Sequence, residues 1–213
     1  MPRTSPPFAK SKSKRKRVSR RETKKRELRE AIYETAMTLF LQKGFDNVTI
    51  EDITHQIEIA KGTFFNYFPN KESILLYFMR RHLDEVKDQI PRVIKEAKTT
   101  QQKLHCLFSI LAKMVVTNEP LVKWVLLESL RLRVYKKEKK EVSRKILQNV
   151  VEIIREGQES GEIKKNMNPE KIAKILESIF FFSAIRWFTF DRHTPLIVDI
   201  QEQIHYFFQG IEA

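Results

Sequence analysis

The chain has 213 residues, suited to one ordinary domain or two small ones, and 41% of it is apolar, which excludes a chain disordered throughout. Its formal net charge of +13 is concentrated at one end: residues 1–26 hold twelve of the 40 Lys/Arg and one acid, Glu22, so the body is nearly neutral. A single cysteine, Cys106, excludes an internal disulfide, and no apolar run reaches the roughly 18–20 residues of a membrane span, so a cytoplasmic protein with no membrane partner is expected.

Residues 1–20, MPRTSPPFAKSKSKRKRVSR, combine early prolines, serines and a charge run, and read as a basic arm without structure of its own. From about Thr23 the pattern is helical: Leu28, Ile32, Thr35/Ala36 and Leu39/Phe40 recur at spacings of three and four, and Gly44 stands where a left-handed cap belongs. In NVTIEDI, Thr49 caps a second helix and Asp52 completes a capping box. That helix runs from Ile50 to about Gln56, with Ile50, Ile53 and Ile57 inward. A tight turn, EIA, leads to a third short helix that begins near Lys61 and stops before Pro69. Asn70 offers the N-cap of a long fourth helix, apolar at Ile74, Leu75, Phe78, Leu83 and Val86.

Beyond it the chain has no glycine between Gly62 and Gly157 and no strand-type alternation, so more helices are expected. Pro91, Thr99-Thr100 and Asn118-Glu119-Pro120 punctuate them, and EGQESGEI (156–163) reads as a turn. Asn168-Pro169 and Thr194-Pro195 each place a capping side chain before a proline, opening final helices over about 169–190 and 195–209. The fold class is all-α, about nine helices with three short ones in front. The expected division is an arm over 1–22, a unit of three helices over 23–69 and a larger helical domain over 70–213.

Two short helices joined by a tight turn, behind a helix and a basic arm, suggest a helix-turn-helix reader of DNA. The second helix of such a pair must be apolar inside and small, polar or flat outside. KGTFFNYFPNKE (61–72) puts four aromatics into the five residues from Phe64 to Phe68. At about 100° per residue, Phe64 and Phe68 share one side and can pack on Ile53, Leu39 and Phe40. Lys61, Gly62, Phe65 and Asn66 lie elsewhere, with Tyr67 at an edge. The small Gly62 and Thr63 allow close approach to a duplex, where free backbone N–H groups favour phosphate.

TIEDITHQIEIAKGTFFNYFPNKESIL resembles the signature of TetR/AcrR-type bacterial transcriptional repressors, and the likeness runs from about Ala31 to Leu75. The resemblance implies a ligand-responsive repressor that binds a palindromic double-stranded DNA operator as a homodimer, without a cofactor. It further implies that Thr49 caps the second helix and touches a phosphate. Lys61, Gly62, Thr63, Phe65 and Asn66 lie at the groove, and Tyr67 and Lys71 hold phosphates. Three positions depart from the family pattern. Ala60 replaces a capping Ser, Glu58 replaces a turn Gly, and Phe65 replaces a frequent Tyr and so loses a hydroxyl.

A second aromatic concentration, Phe180, Phe181, Phe182, Trp187, Phe188 and Phe190, lies in the C-terminal half, with Trp124 earlier. Three consecutive Phe on a helix point in three directions, so some face a pocket or a partner chain. The resemblance assigns the last two helices to a four-helix dimer interface, with Ile179, Ser183, Phe190, Ile200, Ile204 and Phe208 as seam candidates. An effector cavity between the fourth and eighth helices is expected from Phe78, Phe108, Leu111, Trp124, Leu127 and Phe181, with His105, Glu128 and Arg186 as polar contacts. An apolar or acyl-type small molecule suits that lining, and plain core packing is the alternative. No enzyme is expected. The five histidines show no metal-ligand spacing, Cys106 and His105 diverge as helix neighbours, and no glycine loop cradles a phosphate. The competing function is a basic architectural or RNA-binding protein in which the arm does the binding.

Overall fold

A computed structural model describes residues 20–130, 136–190 and 192–211. Among the described residues there are nine helices and no β-strand: α1 Arg20–Lys43, α2 Ile50–Gln56, α3 Lys61–Phe65, α4 Glu72–Ile94, α5 Thr100–Thr117, α6 Glu119–Leu130, α7 Lys136–Ser160, α8 Pro169–Thr189 and α9 Leu196–Ile211. The first nineteen residues of the predicted arm lie outside the described ones. Its last three are helical, since α1 begins at Arg20 and runs for 24 residues rather than being short. Its first turns carry no buried residue, so their apolar pattern gives no signal; charge pairs such as Glu22 and Arg26, four apart, suit a solvated helix.

Local chemistry ends and starts the front helices where the sequence suggests. Gly44 takes φ +82° and its N–H closes on the Phe40 carbonyl at 2.9 Å. The capping box of α2 is complete: Asp52 N–H donates to Thr49 Oγ1 at 3.1 Å and Thr49 N–H donates to Asp52 Oδ2 at 2.7 Å. Asn70 Oδ1 accepts from Ser73 N–H at 3.0 Å and so caps α4. Pro91 does not interrupt α4, which continues to Ile94; the proline is exposed and stands in the last turn, where the missing N–H disturbs least.

The core of the front unit joins Ile32, Ala36 and Phe40 of α1 to Phe45, Val48, Ile53, Phe64 and Phe68, all at most 2% exposed. Burial of each such aromatic contributes about 1.5–3 kcal/mol, and this cluster fixes three short elements that could not hold alone. Helix α4 leaves this unit and enters the second one, packing on α5, α6 and α7; α5 packs in turn on α7 and α9, and α8 on α7 and α9. Gly157 lies inside α7 rather than in the predicted turn. A Cβ there would stand 2.3 Å from Thr100 Oγ1, so glycine is required by close approach of α5. The turn itself uses Gly161 at φ +83°, and Glu162 accepts from Thr100 N–H at 2.7 Å, tying it to the start of α5. Asn168 caps α8 through Lys171 N–H at 2.9 Å, with Pro169 at the first helical position.

Candidate nucleic-acid interface and effector region

Helix α3, which ends at Phe65 rather than just before Pro69, and the turn that follows it divide their residues between inside and outside. Phe64 and Phe68 are buried, Phe65 is 50% exposed and stands edge-on to Phe64 with ring centroids 5.6 Å apart. Lys61, Gly62 and Asn66 are exposed, Thr63 is half-buried, and Tyr67 is half-buried against the core. A Cβ on Gly62 would meet nothing within 4 Å, so the protein's own packing does not require glycine there. Between α2 and α3 the turn passes through Glu58 at φ +54°, the single non-glycine residue with positive φ among those described.

Two residues expected at phosphates turn out to be occupied inside the unit. Thr49 Oγ1 accepts from Asp52 N–H and donates to Asp52 Oδ2 at 2.6 Å, so its hydroxyl is used in the cap; the bonds donated by the Thr49 hydroxyl and backbone N–H hold the Asp52 carboxyl below the usual range. The Lys71 ammonium donates to the carbonyls of Phe45 at 2.8 Å and Val48 at 2.9 Å and sits 4.4 Å from the Phe45 ring centroid. It staples the start of α4 to the α1–α2 connection, with one N–H left for another partner. Lys61, in contrast, meets Glu51 of α2 across the turn, both side chains exposed.

A cationic cluster missed by the sequence reading joins α1 to α4. Arg29 lies 5.3 Å from the Phe68 ring and 4.5 Å from the Tyr77 ring. Arg81 reaches both Glu30 oxygens at 2.7 and 2.8 Å and stacks 4.9 Å from Tyr33, whose pKa burial pushes up to about 12. The signal available was i to i+4 periodicity alone, which does not identify partners about 50 residues apart.

In the second unit a cavity of about 220 Å³ opens between α4, α5 and α7, lined by Leu83, Val86, Ile90, Leu107, Leu111 and Ile146, with Lys87, Gln148, Asn149 and Glu152 supplying polar groups. Of the predicted pocket residues, Leu111 lines it. Phe78 is buried against His82, and Phe108 stacks on Phe180 at 5.7 Å. Leu127 and Glu128 are half-buried on α6, and Phe181 is half-buried, edge-on to Phe182 at 5.5 Å. Trp124 is elsewhere: it packs on Phe40 and Phe45 at 6.5 and 6.1 Å, joining α6 to the front unit. Arg186 is exposed on α8 and grips Asp199 of α9 at 2.7 and 2.8 Å, so it belongs to an outer face and not to the cavity. His105 is half-buried on α5; burial pushes its pKa down, and His205 of α9 adds to the effect.

The seam prediction is corrected in the same way. Ile200, Ile204 and Phe208 are at most 2% exposed within one protomer, where α9 packs on α5 and α8, and Ser183 is buried with Gln203 donating to it at 2.8 Å. On α8, on α9 and just after α8, the exposed large apolar side chains among the described residues are Ile175, Phe182, Val198, Tyr206 and Phe190. A groove of about 440 Å³ between α8 and α9 is lined by Lys174, Ile175, Ser178, Ile179, Phe182, Ser183, Arg186 and Gln203.

Residues 32–78 match the family described as bacterial regulatory proteins, tetR family. The fatty acid metabolism regulator protein of Bacillus subtilis (strain 168) is 24% identical over 170 residues, 78% of this chain and 86% of that one. The uncharacterized HTH-type transcriptional regulator YuxN of the same organism is 37% identical over 65 residues, 30% of this chain, which spans only 22% of that relative's length. Among solved structures, Thermus thermophilus FadR, a TetR family transcriptional repressor in complex with lauroyl-CoA, has a TM-score of 0.72 at 24% identity, covering 85% of this chain and 93% of that one. Residues 32–78 therefore form a TetR-family segment.

The three departures from the TetR pattern have local consequences. Ala60 gives α3 no side-chain cap, Glu58 takes the left-handed conformation that glycine adopts without cost, and Phe65 presents a bare ring to solvent. Glu51 was not singled out in the sequence, where its neighbour Asp52 already accounts for an acid in the first turn of α2 as the capping-box partner. Its position ten residues before Lys61, across a turn whose length was legible, was the signal available.

Proposed function

We infer that the protein is a sequence-specific DNA-binding transcriptional regulator, a dimeric repressor of a palindromic operator whose affinity for DNA changes when an acyl ligand enters the second unit. The observation that carries this reading is the division of α3: Phe64 and Phe68 lock it inside, leaving Lys61, Gly62, Phe65 and Asn66 outward on a surface small enough to enter a major groove. Tyr67 at the edge and the remaining N–H of Lys71 are assigned to phosphates beside it. Two such helices, one per protomer, address successive major grooves, with the exposed α8–α9 face as the seam. The front unit over 23–69 serves DNA and the remainder serves ligand and dimer.

The apolar wall of Leu83, Val86, Ile90, Leu107, Leu111 and Ile146 between α4, α5 and α7 supports an acyl chain as the effector, with Lys87 as a counter-charge to an anionic head group. FadR of Thermus thermophilus holds lauroyl-CoA, which supports an acyl thioester as the class. Coupling runs through α4, because Lys71 just before it is stapled to Phe45 and Val48 while its later turns line the cavity. A ligand shifts the DNA equilibrium only by its difference in affinity for the two conformations. The test is a gel shift on the protein's own upstream region with lauroyl-CoA, stearoyl-CoA or free coenzyme A. An acyl-CoA changes the shifted fraction and coenzyme A alone does not; equal effects of all three sink the acyl assignment.

A further inference from the structure

We propose that Glu51 and Lys61 read one G·C base pair of the operator as a single unit, an inference that rests on the DNA-binding reading above. Two carboxylates stand side by side in the first turn of α2 and are used differently. Asp52 is committed to the capping box, where its Oδ2 accepts from the N–H and the hydroxyl of Thr49. Glu51 instead reaches across the turn to the Lys61 ammonium at the start of α3. The side chains are 58% and 55% exposed, and an ion pair that open to water contributes little to folding. It lies beside the outward residues of α3: Gly62 has open space where a Cβ would be, and Phe65 and Asn66 are exposed one turn on.

A carboxylate on a face that meets phosphates is repelled by them, so it is useful there only where a base donates to it. The major-groove edge of a G·C pair presents guanine N7 and O6 as acceptors and then cytosine N4 as a donor. An ammonium held against a carboxylate presents donors and then an acceptor, the complement of that row. On A·T the middle group is the adenine N6 donor, facing the ammonium, and the last is thymine O4, an acceptor facing the carboxylate. Both contacts then repel. The bridge biases Lys61 toward that place before DNA arrives and partly offsets the charge of Glu51, which lowers the repulsion on approach.

The experiment selects an operator from a randomised duplex library with the full-length wild-type chain, then measures affinities by fluorescence anisotropy for wild type, Lys61→Ala, Glu51→Ala and the double variant. For wild type, exchanging this G·C pair for A·T in one half-site weakens binding roughly 5- to 150-fold. Lys61→Ala and Glu51→Ala each cut that penalty to about twofold or less at the same pair, keep the penalties elsewhere, and the double variant adds nothing further. Glu51→Ala also binds random duplex more tightly, because a charge facing phosphate is gone. Relaxation at two different pairs, or none for Glu51→Ala, overturns the paired reading. Uniform weakening on every duplex together with a lower Tm assigns Glu51 a merely structural role and overturns it equally. If wild type does not separate the selected operator from random duplex, the DNA-binding reading itself fails, an outcome distinct from selectivity that survives without Glu51.

Discussion

Glu58 holds φ +54° in the turn between α2 and α3, where a side chain costs about 1–2 kcal/mol and glycine does not. Glu58→Gly regains part of that, offset by the entropy glycine adds to the unfolded chain, for a net gain of roughly 0.5–1 kcal/mol. Urea unfolding checks it, and a lowered midpoint contradicts it. Two other glycines separate packing from function. Gly157→Ala drives a Cβ into Thr100 and costs about 1–3 kcal/mol, whereas Gly62→Ala meets open space and leaves the Tm unchanged or raised. Gly62→Ala nonetheless weakens operator binding, because the added methyl stands on the face that approaches the duplex; Tm and anisotropy on both variants test the contrast.

At the scale of elements, helix limits were legible wherever a side chain supplies the missing backbone partner. Thr49 with Asp52, Gly44 and Asn168 all act as their residue types suggest. What faces what was not legible. Ile200, Ile204 and Phe208 repeat every four residues and therefore mark a buried stripe, but such a stripe looks the same whether it covers α5 of its own chain or a second copy. Trp124 was misplaced for the same reason, since composition marks an aromatic as buried without saying against which unit. The α5–α9 contact also predicts a pH response. Burial and the neighbouring His205 hold the His105 pKa below its ordinary value of 6.5, so on acidification the unfolded chain takes up a proton that the folded one resists. Stability is therefore full above the ordinary histidine value and falls as pH drops through it. Thermal unfolding at pH 7.5 and 5.5 gives a smaller difference for His105→Gln than for wild type; an equal difference refutes the assignment.

For the whole molecule, α4 joins the front unit to the cavity between α4, α5 and α7, and the exposed apolar face of α8 and α9 is where the proposed second copy would sit. Phe182 is 62% exposed and lines the groove there, so Phe182→Glu yields a monomer in sedimentation and loses most operator binding while the thermal transition persists. A dimer that survives places the seam elsewhere. The most direct test of the account is the affinity of the wild-type chain for the selected operator and for random duplex of equal length, each at two salt concentrations. The operator binds far more tightly at both, its advantage persisting as salt weakens the two complexes. Equal affinities that fall together with salt contradict sequence reading by α3 and leave only the basic arm to hold DNA.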